Sequence, residues 1–218
     1  MGAEIPKQYL KLLDKTVIEH TLGRLAGHQG IAGIVIAVAE HDSQWSGINH
    51  DYDVPIHTVI GGRERHHSVL NGLRALSDFC EPNDWVLVHD AARPCVRRED
   101  IDKLITTLID HPVGGILGVP VADTMKRVDN DNIIAATVNR AGLWHAQTPQ
   151  MFRLGQLIDA IKDAMDIKMP ITDEASAMEI KGFSPMLVEG HKDNIKITGH
   201  QDLLLAELYM QQQQRERQ

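Results

Sequence analysis

Only two cysteines, Cys80 and Cys95, occur in the 218 residues, too few for the disulfide framework of a small secreted domain. A reducing compartment is the expectation. No apolar run approaches the ~20 residues of a bilayer-spanning helix. The first residues, Met1-Gly2-Ala3-Glu4-Ile5-Pro6-Lys7, lack the basic start and apolar stretch of an export signal, so a cytoplasmic address without a membrane partner is expected. Positive charge is scarce: 22 Lys+Arg stand against 30 Asp+Glu, a formal net charge of −8. That balance argues against a general nucleic-acid binder, which needs a basic face, although a small Lys/Arg cluster can still bind phosphate. Internal repeats are lacking too. The 43% hydrophobic content is that of a globular chain, not a disordered, collagen-like or coiled-coil one. One α/β-sized domain over residues 1–218 is the expected organisation.

Five short apolar runs read as buried strands: 34–38, 85–88, 115–119, 133–138 and 186–188. Runs apolar on both faces suit a sheet covered by helices. Thr16 followed by Glu19 forms a capping box that opens a helix with Val17, Ile18, Leu22 and Leu25 on its apolar side. Further helices are marked by Val69, Leu73 and Leu76; by Ile101, Leu104, Ile105 and Leu108; and by Leu154, Leu157, Ile158 and Ile161. A last helix, 202–209, is expected to fade into a frayed polar tail at 211–214. This alternation implies right-handed βαβ crossovers and a mainly parallel sheet. One segment breaks the rhythm. Residues 123–139 read as strand, polar turn, strand, which is a hairpin, either a projecting arm or an ordinary antiparallel edge.

In an open parallel sheet, ligands bind beyond the carboxyl ends of the strands. The run 85–88 delivers His89-Asp90-Ala91-Ala92-Arg93-Pro94 there. Asp90 suits Mg²⁺, which takes one or two carboxylates and substrate oxygens; equally, it could cap a turn and pair with Arg93. His89 reads as a packed, hydrogen-bonding histidine. Gly61-Gly62 precedes a helix start, where close backbone approach and free amides favour a flat anionic ligand. His66 and His67, adjacent on that helix, are expected to diverge and make a poor metal pair. Lys7 and Lys196 remain. Lys196, flanked by Ile195 and Ile197, alternates with them as on a strand, where a solvated face is the simplest reading. Thr172-Asp173-Glu174-Ala175 is a helix start with acidic first-turn residues.

As a set these residues resemble the 2-C-methyl-D-erythritol 4-phosphate cytidylyltransferase family of the non-mevalonate isoprenoid pathway. The stretches, in order, are Pro6-Lys7-Gln8-Tyr9-Leu10; Gly61-Gly62 with Arg65 and Ser68; 86–94; Asp123-Thr124-Met125-Lys126; Asn139-Arg140 with 143–150; 172–177; and Val188-Glu189-Gly190 with Asp193-Asn194-Ile195-Lys196. The resemblance covers essentially the whole chain. It implies a Rossmann-like nucleotidyltransferase fold with a dimerisation arm, in which the family's first strand and glycine-rich loop would precede Met1, leaving Met1-Gly2 as the loop's tail. Arg63 and His66-His67 depart from the family within the base-contacting loop.

The implied reaction is attack by a sugar-phosphate oxygen on the α-phosphorus of CTP with loss of pyrophosphate. Positioning and charge neutralisation carry such a displacement, and no protein nucleophile is needed. By the same resemblance Lys7 and Lys196 stabilise charge at the α-phosphate, and Asp90 serves Mg²⁺ and the substrate. Gly61, Gly62 and Ser68 hold the cytosine, and Ala91, Arg93 and Thr148 complete the substrate site. Thr124 and Arg140 bind methylerythritol phosphate from a partner subunit's arm, implying a homodimer with shared sites. A ribitol 5-phosphate cytidylyltransferase, or an inactive truncated nucleotide-binding or dimerisation remnant, are the alternatives.

Overall fold

The computed structural model describes residues 5–49 and 51–216; Met1-Gly2, expected as the tail of a phosphate loop, lie outside them. Thr16 opens helix α1 (Val17–Ala26) through the expected capping box. Its Oγ1 accepts from the Glu19 amide at 3.4 Å, and a Glu19 carboxylate oxygen accepts from the Thr16 amide at 2.7 Å. The short ribbon Lys11–Leu12 with Lys15–Thr16 leads into it. Strand β1 (Ile34–Val38) then pairs in parallel with β2 (Ile56–Ile60), a strand whose polar His57 and Thr58 hid it from the sequence reading.

Helix α2 (Arg65–Leu76) leads to β3 (Trp85–Val88), and α3 (Arg98–Leu108) to β4 (Gly114–Pro120). The hairpin β5 (Met125–Val128) and β6 (Ile134–Val138) follows as a separate antiparallel ribbon. Its Val128, Ile133 and Ile134 are all exposed. Next come β7 (Trp144–Arg153), α4 (Leu154–Asp166), α5 (Glu174–Ile180), β8 (Met186–Glu189) and α6 (His200–Glu216).

The main sheet has the order β8-β4-β7-β3. β8 and β4 are parallel, while β7 runs antiparallel to both β4 and β3. The expected α/β fold is therefore present: β8, β4 and β3 share one direction, and a single reversed strand makes the sheet mixed. The cause is β7, whose sequence WHAQTPQMFR has neither an apolar run nor clean alternation. Its Gln147, Thr148 and Gln150 are buried polar residues held by hydrogen bonds. The main core packs Val86, Ile116, Phe152 and the apolar face of α4 (Leu154, Leu157, Ile161) together. Each group buries against several others, as close packing requires.

The C-terminal tail is a correction to the sequence reading. The segment 211–214 continues α6 rather than fraying, because Gln213 is 3% exposed. Its Nε2 donates to the Cys95 carbonyl at 3.0 Å and to Asp193 at 2.8 Å, and its Oε1 accepts from Arg24 at 2.7 Å. A polar helix is thus fixed by a buried amide, a feature without a periodic signal.

Among the described residues no strand lies between β1 and β3. Instead both border an apolar cavity of about 280 Å³, with Ile18, Leu22, Val69 and Leu73 on its walls. No helix of the described residues is long and apolar enough to cross a membrane.

Candidate active site

The carboxyl end of β3 delivers Asp90, as anticipated, and the backbone there is locked by a hydrogen-bond chain. The Asp90 amide donates to Thr148 Oγ1 at 3.1 Å, and the Thr148 hydroxyl donates to His89 Nδ1 at 3.0 Å. His89 Nε2 completes the chain on the Arg93 carbonyl at 3.1 Å, which fixes its neutral tautomer. Burial pushes the His89 imidazole down to about 4, against the opposing hydrogen bond to Arg93. His89 is therefore the packed, hydrogen-bonding histidine that the sequence implied. Thr148 orients Asp90 and also accepts, through its carbonyl, from Asn194 Nδ2 at 2.8 Å.

Three cations surround the Asp90 carboxylate. Lys196 Nζ lies 2.8 Å from Oδ2, Arg93 Nε 3.5 Å from Oδ2, and Arg65 Nε 3.2 Å from Oδ1. Burial alone would raise its pKa; the Lys196 hydrogen bond and the charges of Arg65, Lys196 and Arg93 instead hold it well below the usual carboxylate range. Arg93 is anchored in turn by donating Nη1 to the Asn194 carbonyl at 2.7 Å. Lys196 sits in an irregular segment rather than the expected strand. The Ile197 amide ties that segment to the Ala92 carbonyl at 2.8 Å, and Ile197 is fully buried while Lys196 faces the site. Alternation survives without a ladder.

A groove of about 270 Å³ gathers Arg65, Asp90, Arg93, Thr148 and Lys196. Ala91 and Ser68 border the neighbouring apolar cavity together with Arg65 and Asp90. The Gly62 amide donates to Ser68 Oγ at 2.9 Å, and the Gly61 amide to the Val38 carbonyl at 2.7 Å. A Cβ at Gly62 would fall 2.2 Å from His67 Cβ, so the turn into α2 demands glycine there.

Lys7, Thr124 and Arg140 border neither the groove nor that cavity. Lys7 is exposed at the start of a short 3₁₀ turn, Lys7–Tyr9. That turn is held by Tyr9, whose hydroxyl donates to Asp42 at 2.7 Å. Thr124 and Arg140 flank the exposed hairpin, where Arg140 donates to the Ala122 carbonyl.

His66 and His67 do not diverge as expected. Their rings lie 4.2 Å apart, and with Glu64 they bring ligand atoms within 4.8 Å of one another. This cluster borders a different groove, shared with Lys168. That cation and the positive end of α2 both oppose a bound metal ion.

The sequence reading named two residues of the site without their pairing, Arg65 only within the glycine-turn stretch and Glu174 only as part of a helix start. Arg65 gives Glu174 a bidentate fork, Nη1 to Oε1 at 2.6 Å and Nη2 to Oε2 at 3.0 Å. Glu174, read as a first-turn acid, is 1% exposed. Burial pushes its carboxyl up and the Arg65 fork opposes that. The pair is 109 residues apart, so no local spacing could join it.

A carboxylate wedged between cations beyond the carboxyl end of a strand, beside a glycine-bordered turn, is a setting suited to a phosphate-bearing ligand. The family model described as 2-C-methyl-D-erythritol 4-phosphate cytidylyltransferase (IspD) matches residues 1–212, and the chain belongs to this family of nucleotidyltransferases. It is 50% identical over 210 residues to the protein of that name from Hahella chejuensis, covering 96% of this chain and 87% of the relative. The Vibrio vulnificus protein of the same name is 50% identical, with 96% and 89% covered. A crystal structure of 4-diphosphocytidyl-2C-methyl-D-erythritol synthase superposes with a TM-score of 0.86 at 39% identity, covering 94% of this chain and 95% of the other. The Francisella tularensis IspD structure gives 0.83 at 40% identity, with 94% of each chain covered.

Proposed function

We propose that this protein transfers the cytidylyl group of CTP to 2-C-methyl-D-erythritol 4-phosphate, as its relatives are named for doing. A phosphate oxygen of the sugar phosphate forms the new bond to the α-phosphorus. The bond to the β-phosphate oxygen breaks, and pyrophosphate leaves with the electron pair. One observation carries this reading: Lys196 Nζ held 2.8 Å from Asp90 at the carboxyl end of β3, within family membership over nearly the whole chain.

In this reading Lys196 and Lys7 neutralise charge that grows on the α-phosphate, and preorganised cations are worth most where water is excluded. Gly61, Gly62 and Ser68 hold the cytosine, and Ala91, Arg93 and Thr148 shape the substrate end. Mg²⁺ would bind Asp90 with phosphate oxygens and water as its other ligands, the donor set it prefers. Both Asp90 oxygens are taken by cations, so the fit requires Lys196 or Arg65 to yield one when nucleotide enters. The ion's contribution is charge neutralisation on the phosphates.

The hairpin supports the expectation of a homodimer with shared sites. Thr124 and Arg140 lie at its base, away from their own Asp90 groove, and its apolar Val128, Ile133 and Ile134 are exposed. The reading further includes a single catalytic domain, a cytoplasmic address, and an extended strand with a glycine-rich loop completing the sheet. The apolar cavity bordered by both β1 and β3 supports that last element.

The test is product formation, read by mass spectrometry and pyrophosphate release, with CTP, Mg²⁺ and either sugar phosphate. Diphosphocytidyl methylerythritol is the expected product. Turnover confined to ribitol 5-phosphate would reassign the substrate, and CTP binding with no product from either would make the chain a remnant.

A further inference from the structure

We propose that Glu174 is a positioning residue of this reaction: it holds the Arg65 guanidinium so that Arg65 and Lys196 divide the two oxygens of Asp90 between them. The inference rests on the proposed transfer for its kinetic meaning, and on the geometry alone for its structural one.

The argument begins with the planar guanidinium, whose donors leave in fixed directions. Glu174 takes Nη1 at 2.6 Å and Nη2 at 3.0 Å, which leaves Nε directed at Asp90 Oδ1, 3.2 Å away. Asp90 Oδ2 thereby stays free for Lys196 at 2.8 Å. Were the fork released from Glu174, the same guanidinium could grip both Asp90 oxygens at once, the preferred arginine–carboxylate geometry. It would then compete with Lys196 for Oδ2.

Glu174 is rigidly held for this task. Asp173 caps α5 by accepting from the Ser176 amide at 2.9 Å, and Gln150 Nε2 donates to the other Asp173 oxygen at 2.9 Å. Gln150 Oε1 in turn accepts from the Ala175 amide at 2.9 Å. A buried side chain of β7 thus grips the first turn of α5 on either side of Glu174. Through Arg65 the strut also reaches the start of α2, where Ser68 holds the Gly62 amide. A pair serving stability alone has no need of a third partner in the substrate groove.

The test combines kinetics, melting and crystallography of Glu174→Gln, Glu174→Asp and Arg65→Lys. Glu174→Gln keeps the shape and weakens the grip. Its kcat should fall about 10- to 100-fold, the scale of a displacement near 1 Å, with the KM for CTP changed less than about threefold. Combining it with Arg65→Lys should add almost nothing, because both variants cut one strut. In the crystal, Arg65 should take both Asp90 oxygens and the Lys196 contact should lengthen beyond hydrogen-bonding range. A folded Glu174→Gln with kcat within about twofold of the parent, or additive losses in the double variant, would overturn the proposal. If Glu174→Gln does not fold, Glu174→Asp retains the charge but shortens the reach, and parental kcat there would overturn it equally. Should the parent make no product, the transfer reading fails by itself, and an unmoved Asp90–Lys196 contact in the variant crystal still decides against the strut.

Discussion

Replacing Lys196 by alanine should separate catalysis from folding, because the same ammonium is worth little to one and much to the other. In the resting structure it pairs with Asp90 at 2.8 Å while its side chain remains 37% exposed. Solvent screens such a pair to about 0–1 kcal/mol. Asp90 is not stranded by the change, since Arg65 at 3.2 Å and Arg93 at 3.5 Å still face it. The expected cost is a Tm lowered by no more than about 2–4 °C for a chain of this size. During transfer the ammonium faces charge growing at the α-phosphate in a preorganised groove. Removing one such donor typically costs about 10²–10³ in rate, roughly 3–4 kcal/mol. If the contact is made chiefly in the transition state, kcat falls while the KM for CTP changes little. Pyrophosphate release gives the kinetics, and calorimetry gives the melting. Equal losses in CTP binding and turnover would refute the reasoning, as would a Tm drop beyond about 8 °C with kcat unmoved.

Three further variants probe the scaffold. His89 is held down to about 4 by burial from an ordinary 6.5. The unfolded chain therefore binds a proton that the folded one refuses, and stability is lost as pH falls from 6.5 toward 4, by up to about 3 kcal/mol. His89→Gln should flatten that part of the Tm–pH profile, and an unaltered acid slope would exclude His89 as its source. Gln213→Leu removes the amide that serves Cys95, Asp193 and Arg24. Losing the donor to the buried Cys95 carbonyl costs about 1–3 kcal/mol, measurable in urea, and an unchanged midpoint would contradict a structural role for the tail. Gly62→Ala places a Cβ 2.2 Å from His67 Cβ, so the turn must shift. Titration calorimetry should show weaker CTP binding, and parental affinity would remove this turn from the nucleotide site.

What the sequence disclosed follows the physics of each signal. The runs at Ile34–Val38 and Trp85–Val88 were legible because both faces are apolar, and α1 because Thr16 and Glu19 are three apart. β7 was illegible as a strand: its polarity is satisfied by partners far along the chain, such as Asn194 on the Thr148 carbonyl. The buried glutamine of α6 was hidden for the same reason. In the site, Asp90 and Arg93 could be nominated from a strand end. The alternation around Lys196 read as a solvated face, and only the resemblance brought it into the site. Arg65 and Glu174 pair across 109 residues, and no periodicity encodes that. Lys7, Thr124 and Arg140 rested on resemblance alone, and their side chains stand apart from the Asp90 groove.

The interrupted sheet has a consequence for how the molecule opens. β1 and β2 hydrogen-bond to each other and to no other strand among the described residues, whereas β4 is flanked on both sides by β8 and β7. Cooperative unfolding units tend to follow such boundaries. The amide protons of Val35–Ala37 should therefore exchange with solvent deuterium well before those of Ile116–Val119, and the layer carrying the glycine turn should open independently of the central strands.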